Sequence, residues 1–200
     1  MTQSIGKVNI SFDNIDFASM SAHKIYGLKG IGILFKKKNI VIEPLIHGGK
    51  STTKYRSGTP PLALITSTSK ALRLACFNLE KKYEYVSTLN KKIMTKLKKY
   101  DKVHVNSNEK CIPYIINFSV LGVKPESMQH ALEEYEIYIS TKSACSSGNA
   151  ISLAVLEVTK DIEISKHSLR ISLSYLTSDE EVDEFLTAFD KCYWKLCTLK

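Results

Sequence analysis

Three residues of this 200-residue chain stand in settings that ordinary packing does not favour. Lys24 lies in Ser21-Ala22-His23-Lys24-Ile25-Tyr26-Gly27-Leu28-Lys29-Gly30, between the apolar runs 17–20 and 30–35. An ammonium group is costly to bury unless it is paired or loses its proton. A lysine enclosed there is therefore either satisfied by neighbouring carbonyls or prepared as a neutral amine that forms an imine with a carbonyl compound. Cys145 sits among small residues, Ser143-Ala144-Cys145-Ser146-Ser147-Gly148, a composition that suits an exposed loop. A thiol in such a place reaches its thiolate form and acts as a nucleophile, although an incidental surface cysteine has the same surroundings. Arg170 interrupts an apolar run, Ser168-Leu169-Arg170-Ile171-Ser172-Leu173. Its permanent charge calls for an acid, either a buried side chain or a carboxylate ligand gripped by the planar guanidinium fork.

The elements that must position these residues follow from the pattern on either side. The runs 17–20 and 30–35 read as two buried strands that meet at the glycine-bounded Lys24 loop. Val8 to Phe12 alternates apolar and polar residues, as a strand does, and Asp13-Asn14 follows as a turn. Lys36-Lys37-Lys38-Asn39 reads as a charged hairpin tip before Ile40-Val41-Ile42. The glycine-rich stretch 55–61 leads into a helix whose apolar face is Leu62, Ile65, Leu72 and Leu74. From about residue 80 to residue 100 the pattern is one long amphipathic helix burying Val86, Leu89, Ile93 and Leu97. Beyond it come strands near 103–106 and 112–119, a helix over 125–135, a strand over 137–140, a helix over 151–158 and a strand over 168–174. The last helix opens on a capping box, Ser178 to Glu181, and buries Val182, Phe185, Leu186, Phe189 and Tyr193. This order predicts a compact α/β domain over 81–200, preceded by a different unit over 1–80.

A net charge of +8 raises the question of nucleic acid. Much of the excess lies on the long helix, at Lys81, Lys82, Lys91, Lys92, Lys96, Lys98 and Lys99, without interleaved aromatic residues, and reads as a solvated face. No apolar run approaches the roughly 20 residues that span a bilayer, and no signal peptide is visible. The five cysteines have no paired or metal-binding spacing, which favours reduced thiols in a cytosol. Cys76, Cys111 and Cys192 lie in apolar patterns and read as structural, and Cys197 lies in a fraying terminus.

The segment Ser21 to Gly32 resembles the cofactor-lysine segment of cysteine desulfurases, pyridoxal-phosphate enzymes of the class V aminotransferase fold. Four further motifs match in order: His47-Gly48-Gly49, Arg56-Ser57-Gly58-Thr59, Ser140 to Ser147, and Ser168 to Leu173. The resemblance implies an α/β fold: the C-terminal part of an aspartate aminotransferase-like (fold type I) large domain over 1–80, followed by an α/β small domain over 81–200. Met1 to Lys7 is similar to the middle of the family's large domain, so the chain looks like the C-terminal half of a desulfurase, with weak stability expected when alone. By resemblance, Lys24 holds pyridoxal phosphate and shuttles protons at the substrate α-carbon. His23 lies beside the imine, Ser21 on the phosphate and Gln3 on the cofactor's phenolic oxygen, and Thr59 reaches the phosphate bound by the partner subunit of a homodimer. Read bare, His23 is a hydrogen-bonded core histidine and Ser21 a turn residue. Arg170 matches the clamp on the substrate carboxylate. Cys145 matches the nucleophile that takes sulfur from L-cysteine, leaving L-alanine and a persulfide for an acceptor protein, a scaffold or a thiolation enzyme.

No metal, membrane or direct nucleic-acid contact is implied, and the compartment is the cytoplasm. Leu28 stands where the family has proline, Lys50 where it has a third glycine, and Asn149-Ala150-Ile151, in the acceptor-facing part of the loop, where many members have Glu-Pro-Ser; with a short tail after the last helix, the resemblance leaves room for a different acceptor, such as a thiouridine- or thiamine-pathway sulfur carrier. Two other readings compete: a class V aminotransferase in which Cys145 is incidental, and a non-catalytic fragment that serves as a dimerising or partner-binding module.

Overall fold

The computed structural model describes residues 1–49, 53–141 and 151–198, and the chain divides into two compact units, Met1–Lys81 and Lys82–Lys200. In the first unit, β1 (Phe17–Ser21) and β2 (Gly32–Lys36) pair antiparallel, from Phe17 opposite Lys36 to Ser21 opposite Gly32. They were expected as buried strands, yet only Ala18 of the two is buried. A ladder that is apolar on both faces needs a layer on each, and the core of this unit is small: Ile5, Ile25, Ala71 and Ala75, with Ile10, Met20 and Leu72 at its margin.

Three other expectations fail here for related reasons. Residues 8–12 form no strand: alternation sets the period of side chains, but a strand also requires a neighbour for its backbone groups. The chain turns instead, with the Ile15 N–H donating to Phe12 O at 3.1 Å and the Phe12 ring 4.4 Å from that of Phe35. After β2 the Lys36 ammonium donates to the carbonyls of Lys37 (2.9 Å) and Ile40 (2.7 Å), closing a turn with no strand after it. Helix α1 (Leu62–Cys76) buries Thr68, Ala71 and Ala75 and leaves Leu62, Ile65 and Leu74 exposed. Close backbone approach decides which stripe faces in. Gly6, at φ +72°, lies under this helix so tightly that a Cβ there would come within 2.8 Å of the Ala75 carbonyl oxygen.

The second unit follows its sequence pattern more closely. Helix α2 (Leu79–Leu97) buries Val86, Leu89, Ile93 and Leu97, and also Asn90, whose Nδ2 donates to the Pro113 carbonyl at 2.8 Å. Strands β3 (Val103–Val105), β4 (Ile115–Val120) and β5 (Ser168–Ser172) form an antiparallel sheet in the order β3-β4-β5. The helices are α3 (Pro125–Glu133), α4 (Leu153–Thr159), α5 (Ile162–Lys166) and α6 (Asp179–Thr198). The strand expected over 137–140 reduces to one bridge, Ser140 to Arg170, and α5 was not foreseen.

The two faces of this sheet differ in kind. Ile116, Phe118 and Val120 of β4 with Leu169 and Ile171 of β5 join Val86, Leu89, Met128, Leu132, Phe185 and Phe189 in one core. The other face carries His104, Asn106, Asn117, Ser119, Ser168 and Arg170, because opposed residues of an antiparallel ladder share a side. The capping box of α6 closes reciprocally: the Glu181 N–H donates to Ser178 Oγ at 3.1 Å, and the Ser178 N–H donates to Glu181 Oε2 at 2.8 Å.

Candidate active site

Lys24 sits on a single 3₁₀ turn, Ala22–Ile25, that continues directly from β1. With three residues per turn, positions i and i+3 eclipse, so Ala22 and Ile25 point inward together and His23 and Lys24 are left outside. Ala22 and Ile25 are buried, and His23 and Lys24 are exposed. The expectation of an enclosed lysine is corrected on that geometry, as is the bare reading of His23 as a core residue. Tyr26 closes the turn in the left-handed region (φ 65°, ψ 17°). Gly27 then donates to the Ala22 carbonyl at 2.9 Å, at an approach where an added Cβ would lie 3.0 Å from that oxygen.

A second 3₁₀ turn, Thr2–Ser4, carries Gln3. The buried Thr2 accepts the Ser21 N–H on its Oγ1 at 2.8 Å, so the Gln3 turn is fastened to the head of the Lys24 turn. The turns that carry Gln3 and Lys24 are therefore neighbours, and Gln3, His23 and Lys24 are exposed on them. Among the described residues, no side-chain hydrogen bond or ion pair engages the Lys24 amine, the His23 ring, the Gln3 amide or the Ser21 hydroxyl.

The motifs His47-Gly48-Gly49 and Arg56 to Thr59 are also brought together. The Ser57 N–H donates to Ile46 O at 3.1 Å, and Ser57 Oγ donates to Gly49 O at 3.2 Å. A shallow cleft of about 460 Å³ beside them is lined by His47, Lys54, Arg56 and Ser57 among others. Thr59 is exposed at the end of this segment, and no hydrogen bond among the described residues ties it to the Lys24 turn.

Arg170, in the second unit, is half-buried at the centre of the polar sheet face. Its backbone exchanges two hydrogen bonds with Ser140, at 2.7 and 3.0 Å, and its Nη2 donates to Ser140 Oγ at 3.3 Å. Its Nε is buried and, among the described residues, meets no acceptor. Among the described residues no carboxylate pairs with it. Asn117 was not singled out from sequence, and Ser140 only as the start of the Cys145 motif, not as a neighbour of Arg170. The available signal was the pair Asn117 and Ser119, at strand spacing inside the apolar run 115–120.

Cys145, the rest of its loop motif over 143–150, and Lys50 fall outside the described residues. The remaining cysteines are free thiols, and two of them correct the expectation of structural roles: Cys76 and Cys111 are exposed. Cys192 is buried, its Sγ 3.3 Å from the Ala131 carbonyl oxygen, and burial pushes its thiol above the ordinary range. Under native conditions at mildly alkaline pH, iodoacetamide is expected to modify Cys76 and Cys111 well before Cys192, as read by peptide mass. Comparable labelling of Cys192 in the folded chain would contradict this packing.

Among the described residues, no group of three or more His, Cys, Asp or Glu is placed to hold a metal ion, and no helix is long and apolar enough to cross a membrane.

Among solved structures, the fold matches a NifS-like protein with a TM-score of 0.82 at 30% identity, covering 100% of this chain and 52% of that one. It matches a NifS-like protein from Rickettsia africae with a TM-score of 0.80 at 28% identity, covering 96% and 52% respectively. The class defined is thus that of the fold type I transferases, of which this chain is a mixed α/β portion. It is 37% identical over 182 residues to a NifS/IcsS protein homolog of Lactobacillus delbrueckii subsp. bulgaricus, covering 90% of this chain and 47% of that protein. It is also 37% identical over 188 residues to the cysteine desulfurase IscS of Buchnera aphidicola subsp. Baizongia pistaciae, covering 90% and 46%. The chain spans about half the length of these curated relatives. The class-V aminotransferase family model matches residues 1–185, and the chain belongs to that family.

Proposed function

We propose that this chain carries the substrate-holding and sulfur-accepting residues of a cysteine desulfurase, which takes sulfur from L-cysteine and leaves L-alanine. Arg170 is the observation that carries the reading. A half-buried guanidinium with an unsatisfied Nε, and no carboxylate partner among the described residues, is a receptor for the carboxylate of an amino acid. The relatives named as desulfurases favour sulfur chemistry over amino-group transfer.

The side chains on the Lys24 and Gln3 turns fit pyridoxal phosphate in kind: an amine without a partner among the described residues, with a hydroxyl, an imidazole and an amide on two joined turns. Lys24 would hold the cofactor, with Ser21 at the phosphate, His23 and Gln3 at the ring, and Thr59 serving the site of a second copy in a homodimer. When bound, the cofactor supplies an electron sink for the substrate α-carbon.

The chain's own residues do the rest. Arg170 fixes the L-cysteine carboxylate, and Lys24 takes and returns the α-proton. The Cys145 thiolate attacks the substrate sulfur. An S–S bond forms as the C–S bond breaks, the electron pair stays on carbon, and that carbon takes a proton to become the alanine methyl group. The persulfide left on Cys145 then passes its outer sulfur to an acceptor protein, for iron–sulfur or thiolation chemistry. Free thiols match a reducing cytoplasm as the compartment this reading implies.

The test is to mix the chain with pyridoxal phosphate, look for a visible absorption band that Lys24→Ala lacks and that borohydride bleaches while fixing the cofactor to the chain, then, in an unreduced sample, add L-cysteine with a reductant. Release of sulfide and alanine, abolished by Cys145→Ala, is expected. A band with amino-group transfer indifferent to Cys145→Ala would replace this reading with an aminotransferase. No band at all would leave a partner-binding module.

A further inference from the structure

Arg170 and Asn117 stand directly opposite each other in the β4–β5 ladder. Arg170 spends its backbone N–H and C=O on Ser140, on the other side of β5. The 117–170 pair is therefore of the non-hydrogen-bonded kind, in which facing Cα atoms approach to about 4.5 Å and side chains stand closest. A carboxylate at position 117 would be well placed to neutralise the guanidinium. The residue there is a neutral amide, and its oxygen is turned to another donor: Asn117 Oδ1 takes a hydrogen bond from Asn106 Nδ2 at 2.7 Å. Asn106 is itself fixed. Its Nδ2 also lies 3.0 Å from Ser119 Oγ, whose hydroxyl donates to the Ile164 carbonyl of α5 at 2.7 Å, and its Oδ1 lies 2.7 Å from His104 Nδ1. The backbone of Asn117 is held as well, its N–H donating to Ser107 Oγ at 2.9 Å and its carbonyl accepting from Asn106 and Ser107.

We propose that Asn117 is the positioning residue for Arg170: with its oxygen held by Asn106, it offers the guanidinium no charge and no oxygen turned toward it, and so keeps Arg170 open to a ligand carboxylate. The inference rests on the reading of Arg170 as a carboxylate receptor. It accounts for a buried Nε that, among the described residues, this face leaves unsatisfied although the side-chain oxygens of Asn117 and Ser119 stand on the neighbouring strand. An unmet donor of that kind costs folding free energy, and a chain selected for stability alone would have placed an acid opposite it.

The experiment follows the side-chain Nε–H resonance of Arg170 in ¹⁵N-labelled chain, assigned by its loss in Arg170→Lys, through a titration with sodium acetate against sodium chloride of equal ionic strength. In the wild-type chain acetate is expected to shift this resonance saturably. In Asn117→Asp the resonance is expected to move before any acetate is added, and the acetate response to weaken at least tenfold. In Asn106→Ala, which frees Asn117 Oδ1 to turn toward Nε, acetate binding is expected to weaken severalfold. The backbone amides of β4 and β5 report whether each variant is folded; should Asn117→Asp fail to fold, Asn106→Ala decides. An unaltered acetate titration in the folded variants overturns the role of Asn117. No acetate response in the wild-type chain overturns the carboxylate-receptor reading beneath it, and the two failures are separable.

Discussion

Phe189→Ala is expected to lower the melting temperature of the Lys82–Lys200 unit by on the order of 20 °C, corresponding to about 4 kcal/mol. Phe189 is fully buried on α6, with ring centroids at 5.3 Å to Tyr100, 5.7 Å to Phe118, 5.8 Å to Phe185 and 6.2 Å to Tyr193. Removing a buried phenyl ring costs about 3–5 kcal/mol, with the higher figures arising where the surroundings cannot collapse into the gap. Here they are held from outside. The Tyr100 hydroxyl donates to Asp190 at 2.7 Å, and the Tyr193 hydroxyl accepts the Lys102 N–H at 3.2 Å, so neither ring can swing inward without breaking a bond. Burial and the Asp190 bond together raise the Tyr100 phenol, so it remains a donor well into the alkaline range. A loss of this size is a large share of the roughly 5–15 kcal/mol that stabilises a domain. Trp194→Ala on the same helix is the control: its ring is 56% exposed, and about 1 kcal/mol is expected. Equal shifts for the two variants, by calorimetry, would mean that Phe189 is not the hub of this core.

How far the sequence could be read differs between the two units, and the reason is which faces become covered. Val86, Leu89, Ile93 and Leu97 repeat at helical spacing, and all four are buried, because α2 meets a broad apolar sheet that uses the whole stripe. The capping box at Ser178 was legible because both of its bonds are local. In the first unit, by contrast, Leu62 and Ile65 are larger and more apolar than Ala71 and Ala75, yet the alanines face in. Periodicity weighs size and polarity but does not register how closely a glycine lets another segment approach. Lys24 stands out in the sequence by its apolar flanks and its motif, whereas its exposure follows from a three-residue helical period that an apolar-run argument does not contain. Arg170 was likewise placed by motif. Its neighbours Asn117 and Ser140 depend on strand register, which fixes who stands opposite whom and is set by long-range pairing.

The same contrast predicts a large difference in local opening. A two-stranded ladder alone is marginally stable in water, and β1–β2 has behind it a core of four buried residues, two of them alanines. Large apolar side chains in this unit stay in solvent, Leu62 at 73% and Leu45 at 97% exposure. The ladder β3-β4-β5, in contrast, rests on a core in which Ile116, Phe118 and Leu169 are wholly inaccessible. Amides opened by small local fluctuations exchange far faster than those released only by unfolding of a whole core. In native-state hydrogen exchange, Met20 and Ile33 are therefore expected to exchange at least about a thousandfold faster than Ile116 and Phe118, the ratio given by some 4 kcal/mol between opening free energies. A dye that fluoresces on exposed apolar surface should bind the native chain, and Leu62→Ser with Ile65→Ser should reduce that binding without lowering stability, since neither residue supports the core. Equal protection in both ladders, or a stability loss from the paired serines, would show that the apolar face of α1 is covered in solution, and that this unit is as firmly built as its neighbour.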